Sequence, residues 1–221
     1  MTFNKVGFLI KKQDFGHSDE IVTILTNEGE FSFFSVGSRT IKSKNKVSLQ
    51  IGNLIEIEYF KSRLSNKLSK LKRASTITKP NINEFKIAEI IFKIYKRLSK
   101  IGEVDRRFFS LLIEIYSYID ELKWTSTIEV YFLYKMISFT GYPLVMDKCL
   151  ECGRKDRIVD FNFIKGGFIC ALHSEENKSI EYLKSFTLLN QGLDKFLSVD
   201  SQVVEMLNEQ LNEFVDENYF K

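Results

Sequence analysis

Proline is nearly missing from this chain, with two in 221 residues, and glycine is sparse at eleven. That shortage excludes collagen-like, low-complexity and linker-dominated architectures. Long apolar runs are missing as well: Ile90-Ile91-Phe92 and Phe108-Phe109-Ser110-Leu111-Leu112-Ile113 are interrupted well short of a membrane span, so no membrane partner is expected. The opening residues Met1 to Val6 carry no apolar core followed by small residues, so no secretion signal is expected and the cytoplasm is the expected compartment. Histidine occurs twice. No Ser/His/Asp set, phosphate-cradling glycine loop or metal-binding carboxylate cluster is legible, and an enzyme is not expected. What remains is ordinary for a folded protein, 44 % hydrophobic and 28 % charged, long enough for one large domain or two modest ones.

The net charge of +3 hides an asymmetry. Residues 1–80 carry 14 Lys+Arg against 7 Asp+Glu, and residues 81–221 are net negative by 4. Residues 39–79 hold 11 basic side chains opposed only by Glu56 and Glu58. A basic segment of this kind draws polyanions by releasing their counterions, although the same composition also serves as a solvated surface. The cations form two groups: Arg39, Lys42, Lys44 and Lys46 in one loop, and Lys61, Arg63, Lys67, Lys70, Lys72 and Arg73 in and after the next hairpin. These ten are the candidate nucleic-acid contacts. Phe33, Phe34, Tyr59 and Phe60 lie nearby, and alternation along a strand turns one of each adjacent pair outward, where a base can stack.

Residues 5–80 read as strands. Val6–Ile10, Ile21–Leu25, Glu30–Val36, Leu54–Phe60 and Leu68–Ile77 are short and β-rich, with a turn signal at Asn27-Glu28-Gly29. Five such strands fit a small closed barrel of the oligonucleotide-binding (OB) type; an SH3-like barrel has a similar strand count. At Pro80 the apolar period changes from 2 to about 3.6. Helices are expected over 84–98, with an apolar face of Phe85, Ala88, Ile91, Phe92, Tyr95 and Leu98, and over 105–122. A third is expected over 127–141, stopped by Gly141 and Pro143, and two more over 176–196 and 200–217. The expected architecture is α+β: an OB barrel over 1–80, then a helical domain over 81–221 with a zinc finger at 147–175 in an otherwise irregular stretch.

All three cysteines fall in that stretch, as Cys149-Leu150-Glu151-Cys152-Gly153 and, seventeen residues on, Cys170-Ala171-Leu172-His173. Two residues between ligands let a tight turn aim both side chains at one ion, and four such ligands satisfy tetrahedral zinc. Gly153 relieves crowding behind the first pair, and Gly166-Gly167 provides a bend before the second. Cys149, Cys152, Cys170 and His173 are therefore expected to hold one structural Zn2+. Competing readings are a disulfide, which a cytoplasmic protein rarely keeps, a redox pair, and a catalytic zinc, which would need an open coordination position. His17, in the polar turn Asp14 to Asp19, reads as a surface residue, and the adjacent carboxylates Asp19 and Glu20 stand on opposite faces of a strand. The residues alone reach a basic barrel with a structural zinc, which also fits two other classes: a general zinc-stabilised OB-fold nucleic-acid chaperone, and a zinc-dependent nucleic-acid enzyme.

In their order these features resemble the bacterial recombination mediator family RecO. Gly7-Phe8-Leu9-Ile10 through Gly16-His17-Ser18-Asp19-Glu20 and on to Thr26 is similar to that family's first two strands and their turn. Gly37-Ser38-Arg39 with Lys42-Ser43 and Leu49-Gln50 resembles its basic loop, and Leu133–Gly141 with the cysteine motifs resembles the helix and zinc knot of its metal-binding members. The chain departs at Val36, where lysine is usual, at His173, where cysteine is common, and in the acidic segment Val203–Phe220. The resemblance implies binding of single- and double-stranded DNA and annealing of complementary strands. It further implies loading of the RecA recombinase with RecR onto strands coated by single-strand-binding protein, and a nucleoid-associated location. The acidic C-terminal tail of that coating protein would dock in the helical domain, near Lys93, Lys96 and Arg97 or near Arg106 and Arg107.

Overall fold

Five strands, β1 (Thr2–Phe15), β2 (Asp19–Thr26), β3 (Gly29–Ser35), β4 (Leu54–Phe60) and β5 (Ser69–Thr78), close into a barrel in the order β1-β2-β3-β5-β4. The computed structural model describes residues 1–64, 66–102, 104–142 and 144–219, and two compact units are present, Met1–Asp120 and Glu121–Lys221. In the first unit β1 is shared: Thr2 to Phe8 pair with β4 and Phe8 to Phe15 with β2. β3 and β5 meet in parallel through Phe33–Ser69 and Phe34–Lys70. This shared first strand with a Greek-key closure is the OB arrangement. The expected first strand, 6–10, is too short because its outer residues are polar; pairing with two neighbours keeps them in the ladder. Gly7 sits where the shared strand crosses β2, and a Cβ there would stand 2.7 Å from the Leu25 carbonyl oxygen.

Leu9, Val22, Ile24, Phe33, Ile55, Ile57 and Leu71 fill the barrel, and Leu49 joins them from the long β3–β4 connection. That connection is ordered. The Gly37 N–H donates to Asp19 Oδ1 at 2.7 Å, Asn45 Oδ1 accepts from the Ala74 N–H at 3.0 Å, and the Gly52 N–H donates to the Leu9 carbonyl at 3.0 Å. Lys12 Nζ lies 2.7 Å from Glu20 Oε1 and donates to the Leu49 carbonyl at 3.0 Å, so the nearly buried Glu20 carboxylate keeps a cationic partner.

Two helices complete the first unit, α1 (Phe85–Leu98) and α2 (Arg106–Tyr116), the latter capped by Asp105, whose side chain accepts from the Arg107 N–H. Phe8 packs edge-on against Tyr116 at 4.7 Å. The Tyr116 hydroxyl donates to the Gly52 carbonyl and lies 2.8 Å from the Tyr95 hydroxyl, so a polar chain runs from the β3–β4 connection through α2 to α1. Burial holds both phenols well above their ordinary range, which keeps them neutral donors. Tyr116→Phe leaves the Gly52 carbonyl and the Tyr95 hydroxyl short of a partner. The expected loss is about 1–3 kcal/mol, read as faster amide exchange at Leu9 and Asn53.

The apolar face of α1 differs from the expected one. Ile87, Ile90, Ile91, Ile94, Tyr95 and Leu98 are buried, whereas Phe85 and Phe92 are exposed. A stripe of four isoleucines outcompetes two aromatics offset by nearly half a turn. The second helix also ends earlier than expected, at Tyr116, and Leu122–Trp124 forms a separate 3-10 turn.

In the second unit α3 (Thr125–Phe139) is buried on nearly every side from Thr127 to Ile137, as a central helix is. Pro143, expected to follow its end, lies outside the described residues. A hairpin, β6 (Ile158–Asn162) and β7 (Gly167–Cys170), occupies the stretch read as irregular. Strands of five and four residues, one with a bulge, are too short for alternation to register. The segment 176–196 is two helices, α4 (Ile180–Gln191), capped by Ser179, and α5 (Leu193–Phe196), separated at Gly192. The last helix, α6 (Ser201–Tyr219), packs Val204, Leu207, Leu211 and Val215 inward at helical spacing; Phe220 lies outside the described residues. Among the described residues no helix is long and apolar enough to cross a membrane.

Candidate metal centre and nucleic-acid interface

The β6–β7 hairpin and the turn before it place Cys149, Cys152, Cys170 and His173 so that one ligand atom from each lies within 4.8 Å of all the others. Cys149 Sγ is 3.7 Å and Cys170 Sγ 3.5 Å from His173 Nδ1, and Cys152 Sγ is 3.8 Å from Cys170 Sγ. Sulfurs each about 2.3 Å from one metal at the tetrahedral angle stand roughly 3.8 Å apart, so these three separations are compatible with ligands of one metal ion. They are far longer than a sulfur–sulfur bond of about 2.05 Å, and all three cysteines are free.

The backbone around the cluster is shaped for thiolates. The Cys170 N–H donates to Cys149 Sγ at 3.4 Å, and Gly153, at φ 73°, turns the chain so that its N–H donates to the Cys149 carbonyl at 2.8 Å. Burial alone would raise the Cys149 thiol. The N–H groups of Cys152, Cys170 and Glu151, together with His173, outweigh it and pull the thiol down to about 6. Three cysteines and one histidine brought this close are able to hold a metal ion.

An aromatic cluster fixes the hairpin to the helices. Phe161 stacks on Phe186 of α4 at 4.1 Å, Phe168 meets the same ring edge-on at 5.7 Å, and Phe163 lies 6.1 Å from Phe214 of α6. Sequence reasoning missed this support. Its only signal was the recurrence of Phe161, Phe163 and Phe168 around the turn, which the absence of a legible strand obscured.

In the barrel unit the structure exposes all ten expected cations. Arg39 leans on the β1–β2 turn, with its guanidinium 3.1 Å from Asp14 Oδ2 and its N–H donating to the Ser18 carbonyl at 3.0 Å. Lys42, Lys44 and Lys46 follow along the β3–β4 connection, each exposed. Lys61 lies over the Phe3 ring at 5.8 Å, Arg63 and Lys67 belong to the β4–β5 loop, and Lys72 pairs with Glu58 at 2.8 Å. Strand direction brings the β1–β2 turn and the start of the β3–β4 connection to one end of the barrel, and sets the β4–β5 loop at the other, beside Thr2 at the start of β1. Arg39 therefore stands at the first of these ends and Lys61, Arg63 and Lys67 at the second, whereas Lys72 and Arg73 lie further along β5. His17 stands in the exposed turn, away from the cysteine motif in sequence and in the other unit. Of the four aromatics, Phe33 and Tyr59 are buried and Phe34 and Phe60 face out.

Comparison with known proteins agrees with this architecture. The family model described as "Recombination protein O N terminal" matches residues 1–80, and "Recombination protein O C terminal" matches 82–220. The chain belongs to the recombination protein O family. Curated members include the protein named "DNA repair protein RecO" from Mesoplasma florum, 26 % identical over 189 residues, covering 80 % of this chain and 70 % of that one. Proteins of the same name from Bacillus cereus strain B4264 and Bacillus anthracis strain CDC 684 are each 25 % identical, over 182 and 183 residues, and span 79 % and 80 % of this chain and 72 % and 73 % of theirs. Of the two RecO matches, the first covers the barrel strands and the second the helices and the cysteine cluster.

Proposed function

We propose that this chain is a DNA repair and homologous recombination mediator. It binds single- and double-stranded DNA through the barrel cations, anneals complementary strands, and helps RecR load recombinase onto strands coated by single-strand-binding protein. One observation carries the reading: in a chain of the recombination protein O family, exposed cations flank the outer face of an OB barrel, Arg39 beside the β1–β2 turn and Lys61, Arg63 and Lys67 in the β4–β5 loop. Phosphate contacts of this sort hold a strand in register without reading its bases, as a mediator acting on any sequence needs. The work is binding and exchange, with no bond made or broken. One structural Zn2+ on Cys149, Cys152, Cys170 and His173 would clamp the hairpin while the barrel engages DNA.

Docking of the coating protein's acidic, apolar tail is best served by α1. Phe85 and Phe92 are exposed there, with Lys96 over the Phe92 ring at 5.8 Å. Arg97 is buried, and Arg107 is held by Asp105 through Nε at 2.8 Å and Nη2 at 2.6 Å, so neither is a leading candidate.

The test is annealing of two complementary, dye-labelled strands coated with single-strand-binding protein, in 50 and 200 mM salt. The chain should accelerate annealing at the lower salt and lose most of that acceleration at the higher, since the electrostatic part of binding falls steeply with salt. Absence of acceleration at either concentration sinks the mediator reading. Equal affinity for RNA and DNA with no capture of RecR would transfer the protein to the general chaperone class.

A further inference from the structure

The strand register sets one continuous row across the outside of the barrel. Gln13 pairs with Ile21, Ile21 with Phe34, Phe34 with Lys70, and Lys70 with Phe60. Strand alternation turns these side chains away from the core: the neighbours Phe33, Tyr59 and Leu71 are buried, while Phe60 is 45 % exposed and Lys70 is exposed. Phe15, 54 % exposed, stands edge-on to Phe34 with ring centroids 5.2 Å apart and an interplanar angle of 88°. The row lies between the β1–β2 turn and the β4–β5 loop, the two connections that flank the oligonucleotide face of this barrel type. Leu64 and Leu68 of the β4–β5 loop add further exposed apolar surface.

We infer that Phe34 and Phe60, with Phe15 supporting Phe34, are the base-stacking residues of this chain, and that Lys70 between them takes the intervening phosphate of a single strand. This rests on the proposed nucleic-acid-binding role and deepens it. Three observations decide for a nucleic-acid strand over a protein segment as occupant. The two aromatics are two strand spacings apart, about 10 Å, with a cation in register between them. Arg39 stands beside the Gln13 end of the row, and Lys61, Arg63 and Lys67 follow its Phe60 end. Residues 39–79 carry 11 cations against 2 carboxylates. An apolar row interrupted by lysine suits alternating bases and phosphates, because every base has a π-face and every link a charge. A duplex keeps its base faces stacked, so it reaches the cations and not the rings.

The consequence is a split between single and double strands. The double variant Phe34→Leu, Phe60→Leu keeps apolar volume on an outer face that the core does not need. Loss of two stacked bases, each worth about 1–3 kcal/mol, is expected to lower affinity for a 20-nucleotide oligo(dT) by at least about 25-fold. Affinity for a blunt 20-base-pair duplex should change by less than about threefold. A Phe34→Trp variant gives an independent readout: oligo(dT) should quench its added fluorescence, and an abasic strand of equal length should not. Circular dichroism of each variant checks that the barrel is intact. Unchanged oligo(dT) affinity in an intact double variant, equal losses on single strand and duplex, or equal quenching by the abasic strand would each overturn the stacking row. Duplex binding that survives in those cases would leave the cationic interface standing.

Discussion

Cys170→Ser is expected to strip the bound metal and unfold the Glu121–Lys221 unit ahead of the barrel. Zinc binding in small knuckles is worth on the order of 10 kcal/mol or more, and that free energy is folding free energy where the ligands are not held together otherwise. Here an aromatic cluster assists the hairpin, so the loss is expected to be smaller, about 3–5 kcal/mol, still a large share of a domain's usual margin. Two measurements check it. Metal analysis should give one zinc per chain for the parent and less than a tenth of that for the variant. Trp124, the chain's one tryptophan, lies in this unit, and its fluorescence should report unfolding at markedly lower urea. Cys149→Ser should behave alike, because Cys149 Sγ accepts the Cys170 N–H and stands at the centre of the knuckle's hydrogen bonds. A variant that kept stoichiometric metal would break the ligand assignment. Metal-edge spectra of a cobalt-loaded sample with an oxygen ligand would instead point to an open, catalytic site.

The second large effect concerns the barrel loop. Changing Arg39, Lys42, Lys44 and Lys46 together to alanine removes four exposed cations from a connection whose backbone is anchored elsewhere, through Gly37, Asn45, Leu49 and Gly52. Folding should survive, since exposed charges contribute little to stability. Single-strand affinity at 50 mM salt should fall on the order of a hundredfold, and the dependence of log affinity on log salt should flatten by about 3, near 0.7 for each phosphate that is no longer neutralised. The salt slope is the decisive reading, because a merely damaged loop would lower affinity without changing the number of ions released. An unchanged slope would place the phosphate-binding cations elsewhere.

The legible parts of the chain were those with a strong local period or a chemically specific spacing. Glu56, Glu58 and their apolar neighbours in β4 alternate cleanly, and the strand sits at Leu54–Phe60 as expected. The Cys149/Cys152 and Cys170/His173 pairs were readable as one cluster because two intervening residues let a turn aim both side chains at one point, and one ligand atom from each of the four lies within 4.8 Å of the others. Failures have equally local causes. In α1 the pattern admits two overlapping apolar faces, and only packing against the rest of the unit selects the isoleucine stripe and leaves Phe85 and Phe92 exposed. The β6–β7 hairpin is too short to show alternation, and the 176–196 segment hides its break at Gly192.

Which cations are available and which aromatics face water was likewise invisible until the strands were paired. A lysine in the sequence does not reveal that Lys12 is committed to Glu20 or that Lys70 lies between two phenylalanines, since both facts depend on residues far away along the chain. By itself the order of amino acids determined a basic strand-rich half, a helical half and a Cys/His cluster, because each of these follows from local periodicity, charge or ligand chemistry. Tertiary structure alone decided the barrel's closure, the aromatic clamp behind the knot and the outward row from Ile21 to Phe60. Those arise from register between distant strands and from competition among apolar faces for a limited interior.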